Sequence, residues 1–417
     1  MRPGGRGQVS AVVAAQALVQ IGAFTLPALL PHYLDAWPLT NTEAGWLLGI
    51  FFAAYVAAAP VLVALTDRLP ARGIYLVGSG LTALSHLGFA TLAEGFWSAL
   101  ALRAVAGIGW AGCYMPGLKA IADGLAGDAQ SRAVSLHAAG VGISGACSFL
   151  VAGLLDSAFG PRAAFLAVGL AAAGAFGIAL LVMPGRRPAS AEASRRALLD
   201  FRPVLRNRRA MAWIAGYTVH TLEMAALRAW AVAFLAAAAA RHGAADWVPA
   251  PTALFTAAGL LGILASIAGN ETAQRLGRRR VVTAAMAAAA ALSLAAGWML
   301  EVSFALALLL VLAWNAAIYL DSSALTAGTV QAAGPGLRGA TMGLHSMAGY
   351  AGGFVGPLGV GLVLDRAGDG ALGWGLAFGL LAPVTLAGLL ALRRLSGAPE
   401  AASAASPRPP EAARGTR

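Results

Sequence analysis

Charge is the scarcest commodity in this sequence. Only 11% of its 417 residues are Asp, Glu, Lys or Arg, against about 25% in an average soluble domain. A water-soluble surface for a chain this long cannot be built from so little charge. Lysine is nearly missing, since Lys119 stands alone among 29 basic residues. Cysteine is limited to Cys113 and Cys147. Both lie in apolar stretches, with no C-x-x-C, no zinc-ligand spacing and no disulfide framework. A P-loop is absent as well, so ATP-driven pumping has no nucleotide site in this chain.

What is present is hydrophobic length. The chain is 59% hydrophobic with a mean hydropathy of +0.72, and apolar runs recur along it. A bilayer core of about 30 Å takes roughly 20 apolar residues per helical crossing. Gaps marked by charge, Pro and Gly place helices near 8–34, 42–65, 73–92, 96–121, 133–156 and 162–183. A second set falls near 211–237, 251–268, 281–300, 303–326, 341–364 and 371–392. The reading is an all-α membrane protein with a six-helix bundle over 1–183 and a basic linker over 184–210. A second bundle covers 211–392, and a disordered cytoplasmic tail covers 393–417. The run after Arg2 and Arg6 is too long for a signal peptide and is read as the first crossing.

The net charge of +11 and pI near 10.7 point away from nucleic acid once its distribution is considered. No polar gap interleaves aromatics with its arginines as a strand-binding surface does. The positive charge instead reports topology. With the N-terminus inside, 24 Lys and Arg fall in inner gaps and tails and 3 in outer gaps (Arg162, Arg241 and Arg366). That bias fits an even number of crossings with both termini cytoplasmic. The expected location is a bacterial inner membrane, with the linker either held along anionic lipid or solvated as a tether.

Several stretches resemble the major facilitator superfamily. The gap after the second helix, Thr66-Asp67-Arg68-Leu69-Pro70-Ala71-Arg72, is similar to the family's G-x-x-x-D-R-x-G-R-R loop at Asp67, Arg68 and Arg72. The gap after the eighth, Gln274-Arg275-Leu276-Gly277-Arg278-Arg279, resembles the R-x-G-R-R part. Helix four carries Arg103 with Gly107 and Gly109, similar to R-x-x-x-G-x-G. Helix eleven carries Gly352, Gly356-Pro357 and Gly361, similar to a glycine–proline pattern that in the family marks helix five of antiporters. The resemblance implies two six-helix bundles related by a pseudo-two-fold axis around a central cavity, which rock to expose a midplane site to each side in turn. It implies a cytoplasmic gate at Asp67, Arg68, Arg72, Arg275, Arg278 and Arg279, with Asp67 facing a helix N-terminus such as that of helix eleven.

Ionisable groups inside the membrane are costly and are read as functional candidates. These are Arg103 in helix four, Glu223 and Arg228 in helix seven, and Asp321 in helix ten, with His220 beside them. On helix seven, Tyr217, His220, Thr221, Met224 and Arg228 share one broad face at 100° per residue, which is turned to the cavity. Glu223 points about 140° from Arg228, so it finds a partner elsewhere or is protonated. His220 and Glu223 are the candidate proton-coupling pair; a structural hydrogen-bonded pair fits the same residues. On helix ten, Asn315 and Tyr319 share a polar face, and Asp321 is expected to pair with an Arg across the bundles as a gate. Gln20 in helix one is a further substrate candidate. Arg103 and Arg228, in opposite halves, could clamp an oxyanion between them.

The function expected is secondary active transport of a small solute by alternating access, coupled to protons, by a monomer bedded in membrane lipid and without cofactors. An exporter of amphiphilic, drug-like compounds is the alternative. More remote are an intramembrane metal enzyme built on His220-x-x-Glu223, which lacks the second histidine of H-E-x-x-H, and a sensor, which would have no soluble output domain.

Overall fold

In a computed structural model, described over residues 6–66, 68–122, 125–183, 185, 200–243 and 250–395, every regular element is helical. The first crossing, α1, is assembled from three pieces, Arg6–Gln20, Thr25–Ala28 and Leu30–Ala36. It is followed by α2 (Asn41–Leu65), α3 (Ala71–Leu92), α4 (Phe96–Ala122), α5 (Gly127–Phe159) and α6 (Pro161–Val182). A short turn of helix, Arg202–Arg206, leads into α7 (Arg208–His242), α8 (Pro251–Leu276) and α9 (Arg278–Ala296), which ends in a 3-10 turn at Gly297–Glu301. Then come α10 (Phe304–Ala332), α11 (Arg338–Ala367) and α12, which is broken into Ala371–Gly379 and Leu381–Leu395.

Eleven of these crossings are unbroken enough to be long, apolar spans. The twelfth is α1, expected as a continuous helix over 8–34. Its break has a local cause. Pro27 and Pro31 have no N–H to return to the preceding turn, and the chain tightens at 20–23, where Ala23 N–H donates to Gln20 O. The Phe24 N–H, left without its helical acceptor, donates instead to the buried Ser148 hydroxyl of α5 at 3.0 Å. Several other helices outrun their apolar cores. α5 begins at Gly127 rather than near 133, and α8 continues to Leu276 rather than 268. Hydropathy reads only the stretch facing lipid, whereas a helix continues into the headgroup region until its capping chemistry ends it. α7 shows this: Asn207 caps it by accepting the Ala210 N–H at 3.0 Å, and Gly243 ends it in the left-handed conformation at φ 56°.

The helices form two six-helix bundles, α1–α6 and α7–α12. Across the seam, α2 lies along α11 and α5 along α8, an exchange of partners that a two-fold axis requires. At the end opposite the termini the halves touch backbone to backbone. A Cβ on Gly361 of α11 would lie 2.1 Å from the Asn41 carbonyl oxygen of α2. Asp365 of α11 closes the same end by accepting the Asn41 and Thr42 N–H groups at 2.7 and 2.8 Å. A carboxylate from one half thereby caps an α2 N-terminus in the other. Most of the basic linker, the tail beyond Leu395, and Asp67 lie outside the described residues. Arg393 and Arg394, expected in the tail, belong to the last helix.

Candidate functional site

The central polar cluster lies in the C-terminal bundle. His220 Nδ1 of α7 stands 2.7 Å from Asp321 Oδ1 of α10, with the side chains 1% and 3% exposed. The contact is close but poorly aligned for a hydrogen bond, and His220 Nε2 has no partner. The Tyr217 ring lies 5.7 Å from His220 and 3.7 Å from His345 of α11, nearly parallel to both. His345 Nδ1 is held by the Thr329 hydroxyl at 3.1 Å. Three rings therefore stack along the inner wall of α7, and a carboxyl group sits at one end of the stack.

This arrangement corrects two expectations. Asp321 does not reach across the bundles to an arginine; it is 2% exposed and spends itself on His220 in its own half. His220 is not paired with Glu223, because the two side chains diverge around α7. Glu223 Oε1 accepts the Trp314 indole N–H at 2.7 Å and Oε2 accepts the Thr385 hydroxyl at 2.9 Å. Both carboxylate oxygens are thus occupied inside the α7–α10–α12 core.

Arg228 is half-buried on α7, about 12 Å along the helix from His220 at 1.5 Å per residue. Its Nη2 donates to the Tyr319 hydroxyl. Its guanidinium lies 5.2 Å from the centre of the Phe24 ring, across the seam at the α1 break, and 5.4 Å from that of Tyr319. Arg103 is different. It is 2% exposed and sits within the N-terminal bundle, its Nε donating to the Leu47 carbonyl at 3.4 Å and its guanidinium 5.0 Å from the Phe51 ring centre. The described contacts give the two arginines no shared partner, so the structure does not assemble the expected clamp.

The remaining candidates are scattered. Asn315 is spent on the Ala258 carbonyl of α8 at 2.8 Å. Gln20 turns into the N-terminal bundle, where it lines a cavity with Thr82, His86, Trp110 and Cys113. About 10 Å³ of that cavity is open to the centre of a water molecule, roughly room for one water. Of the loop residues, Arg68 and Arg275 are exposed. Arg72 donates to the Leu180 carbonyl at 2.5 Å, Arg278 to Gln331 and Arg279 to the Arg393 carbonyl at 2.8 Å, each within its own half. The sequence reading passes over His86, His137 and His345, all buried. The rule that flags Glu223, a titratable group at membrane depth, would have found them. No sequence signal marks Trp314 or Thr385 as the partners of Glu223.

Two six-helix bundles that meet along a seam are the arrangement of a membrane transporter rather than an enzyme. The chain belongs to the Major Facilitator Superfamily, whose sequence model matches residues 12–357. Among human proteins it is 25% identical to Protein spinster homolog 1 over 225 residues, covering 51% of this chain and 42% of that protein. It is 30% identical to Monocarboxylate transporter 11 over 173 residues, covering 40% and 36%. The chain thus spans under half the length of these relatives. Among solved structures, a bacterial homolog of the human lysosomal transporter Spinster, inward-facing and unoccupied, superposes with a TM-score of 0.73 at 16% identity, covering 95% and 96% of the two chains. The nucleoside transporter NupG gives 0.72 at 13%, covering 94% and 99%. A POT family transporter in complex with 5-aminolevulinic acid gives 0.75 at 12%, covering 94% and 97%. At these identities the likeness establishes the fold.

Proposed function

We propose that this protein moves a small solute across the bacterial inner membrane by alternating access, driven by protons that load on the His220–Asp321 pair. The observation that carries the reading is the depth and isolation of that pair. A neutral imidazole beside a protonated carboxyl and an imidazolium beside a carboxylate are both neutral overall. Adding or removing one proton leaves a single charge in an apolar setting, at a cost of several kcal/mol. The proton count of the pair is therefore tied to whether water or an ion reaches it. Motion of α7 against α10, or of the bundles about the seam, changes that access. Tyr217, stacked between His220 and His345, relays the position of α11 to the pair.

The alternating-access part of the reading draws on the closed end. Asp365 on the α2 N-terminus and the Gly361 contact hold α2 and α11 together opposite the termini. With both termini cytoplasmic, as the distribution of arginine implies, that end is the periplasmic one.

The test is solute-driven proton movement. Purified protein in lipid vesicles containing a pH-sensitive dye is exposed to a panel of small organic anions, nucleosides and short peptides. A subset should drive proton flux, and Asp321→Asn should abolish that flux while leaving solute exchange in the absence of a gradient. Solute movement that ignores an imposed pH gradient throughout the panel would remove the coupling.

A further inference from the structure

We propose that Arg228 is the anion-binding group of the transport site, and that the solute it takes is an anion carrying an apolar body. The inference rests on the transport reading above for what the site is for, and on the local geometry for what it binds.

The two membrane-interior arginines make a controlled comparison. Both lie against aromatic rings at about the same distance, 5.0 Å for Arg103 on Phe51 and 5.2 Å for Arg228 on Phe24. Arg103 is sealed within one bundle and 2% exposed, its Nη1 buried without a partner, so no solute reaches it. Arg228 is half-buried at the seam between bundles. Among the described residues no carboxylate lies within ion-pairing distance of it. The two acids nearest in sequence or fold are committed, Glu223 to Trp314 and Thr385 and Asp321 to His220. A guanidinium carries five N–H donors, and Tyr319 takes one of them.

A cation at this depth without a counter-charge is costly to keep, and ring contacts and one hydroxyl offset part of that cost only. A bound oxyanion supplies the missing charge and accepts the free donors two at a time, which the planar fork favours. The surroundings fix the rest of the ligand. Phe24 stacks on Phe149 at 5.4 Å, and Phe149 meets Phe255 at 5.0 Å. An apolar wall of α1, α5 and α8 thus begins where the guanidinium ends; its rings are packed shut here (Phe24 7%, Phe149 2% and Phe255 2% exposed), so a ligand meets them as the seam between the bundles opens. Phe24 is held at that place by the α1 break, through its N–H bond to Ser148. The wall spans both bundles, so a ligand bridging Arg228 and the phenylalanines touches the two halves at once.

The shared chemistry, an oxyanion on an apolar body, fits a soluble aromatic or branched carboxylate and also a lipid phosphate. The experiment separates them. Protein in nanodiscs of phosphatidylcholine, with and without phosphatidylglycerol, is titrated with benzoate, phenylphosphate and branched-chain carboxylates, each paired with its neutral amide or alcohol. Thermal shift and intrinsic fluorescence report binding. The anions should bind and their neutral partners should not. Arg228→Gln should weaken the anions about 10- to 100-fold, Arg228→Lys should weaken them less, and Arg103→Gln should leave them unchanged. Stabilisation by phosphatidylglycerol that depends on Arg228 and competes with the soluble anions would assign the lipid source. Equal binding of neutral and anionic partners, or anion binding untouched by Arg228→Gln, overturns the proposal. If Arg228→Gln fails to fold, Arg228→Lys and the paired probes on the parent protein still decide it. Anion binding without solute-driven proton movement would leave this site standing and remove the proton coupling. Proton-coupled movement of solutes without anion preference would do the reverse.

Discussion

The two bundles share a fold and differ in where they keep their titratable groups. The middle turns of α1–α6 hold no acid at all, and their interior groups are Arg103, His86 and His137. The middle turns of α7–α12 hold Glu223 and Asp321, with His220, His345 and Arg228 around them. The N-terminal bundle ties its charge to backbone and ring, as Arg103 does with Leu47 and Phe51. The C-terminal bundle sets one acid, Asp321, beside a histidine, His220. Pseudo-symmetry of the backbone therefore does not carry symmetry of chemistry. On the proposed reading, one half serves as a wall and the other holds the charge that moves.

The same contrast recurs within the C-terminal bundle, between its two carboxyl groups. Glu223 has a donor on each oxygen; Asp321 has a single, poorly aligned histidine. On the proposed reading, the first stays as it is and the second changes. The strongest way to break this comparison is to exchange the acids for their amides one at a time. Asp321→Asn should reduce solute-driven proton movement to background with the protein folded. Glu223→Gln should preserve that movement and lower stability by no more than about 1 kcal/mol, since the amide oxygen still accepts the Trp314 N–H and the amide NH2 can donate to the Thr385 hydroxyl. Dye flux and thermal unfolding read the two effects, and the reverse pattern would make Glu223 the proton site.

Glycine contacts within a half and between halves sharpen the comparison next. A Cβ on Gly269 would lie 1.9 Å from the Leu320 carbonyl oxygen, inside the C-terminal bundle. Gly269→Ala is expected to destabilise by about 1–3 kcal/mol, because the two helices cannot part. Gly361→Ala meets a contact as tight, but across the seam. Its expected result is near-normal unfolding with α2 and α11 displaced at the end opposite the termini, measured as a longer spin-label distance. An equal loss of stability in both variants would mean that the halves are not free to move apart.

The smallest effect belongs to the cap. Asp365→Asn removes the charge that binds the α2 N-terminus while leaving an acceptor in place. A loss of about 1 kcal/mol shifts the two-state population roughly fivefold. The same spin-label pair should show the open-end population rising by that factor. No change would place the hold on that end in the glycine contacts alone.

Much of this protein could be read before any coordinates. The apolar runs marked twelve crossings, the first as one helix where the structure has three pieces, and the arginine bias favoured an even number. The loop sequences at 66–72 and 274–279 pointed to the family. The pieces that escaped share one character. The break in α1 needs Pro27 and Pro31, yet Pro60, Pro116 and Pro357 sit inside continuous helices. A proline permits a break, and the neighbouring Ser148 is what makes this one tolerable. Helical angle separated Glu223 from Arg228 correctly, because that is a property of one helix. It could not say that Trp314 and Thr385 would meet Glu223, or that Asp321 would turn to His220.

The sequence by itself determined the solvent this chain lives in, the number of times it crosses, and which side chains are too costly to bury without a purpose. Hydrophobic length and charge scarcity are local and additive, so they survive without a structure. The tertiary structure alone decided which charges found partners. A pair forms between helices distant in the chain, and its 2.7 Å contact depends on the rotation and depth of both. That is why Asp321 has His220, Glu223 has two neutral donors, and Arg228 is left facing the seam.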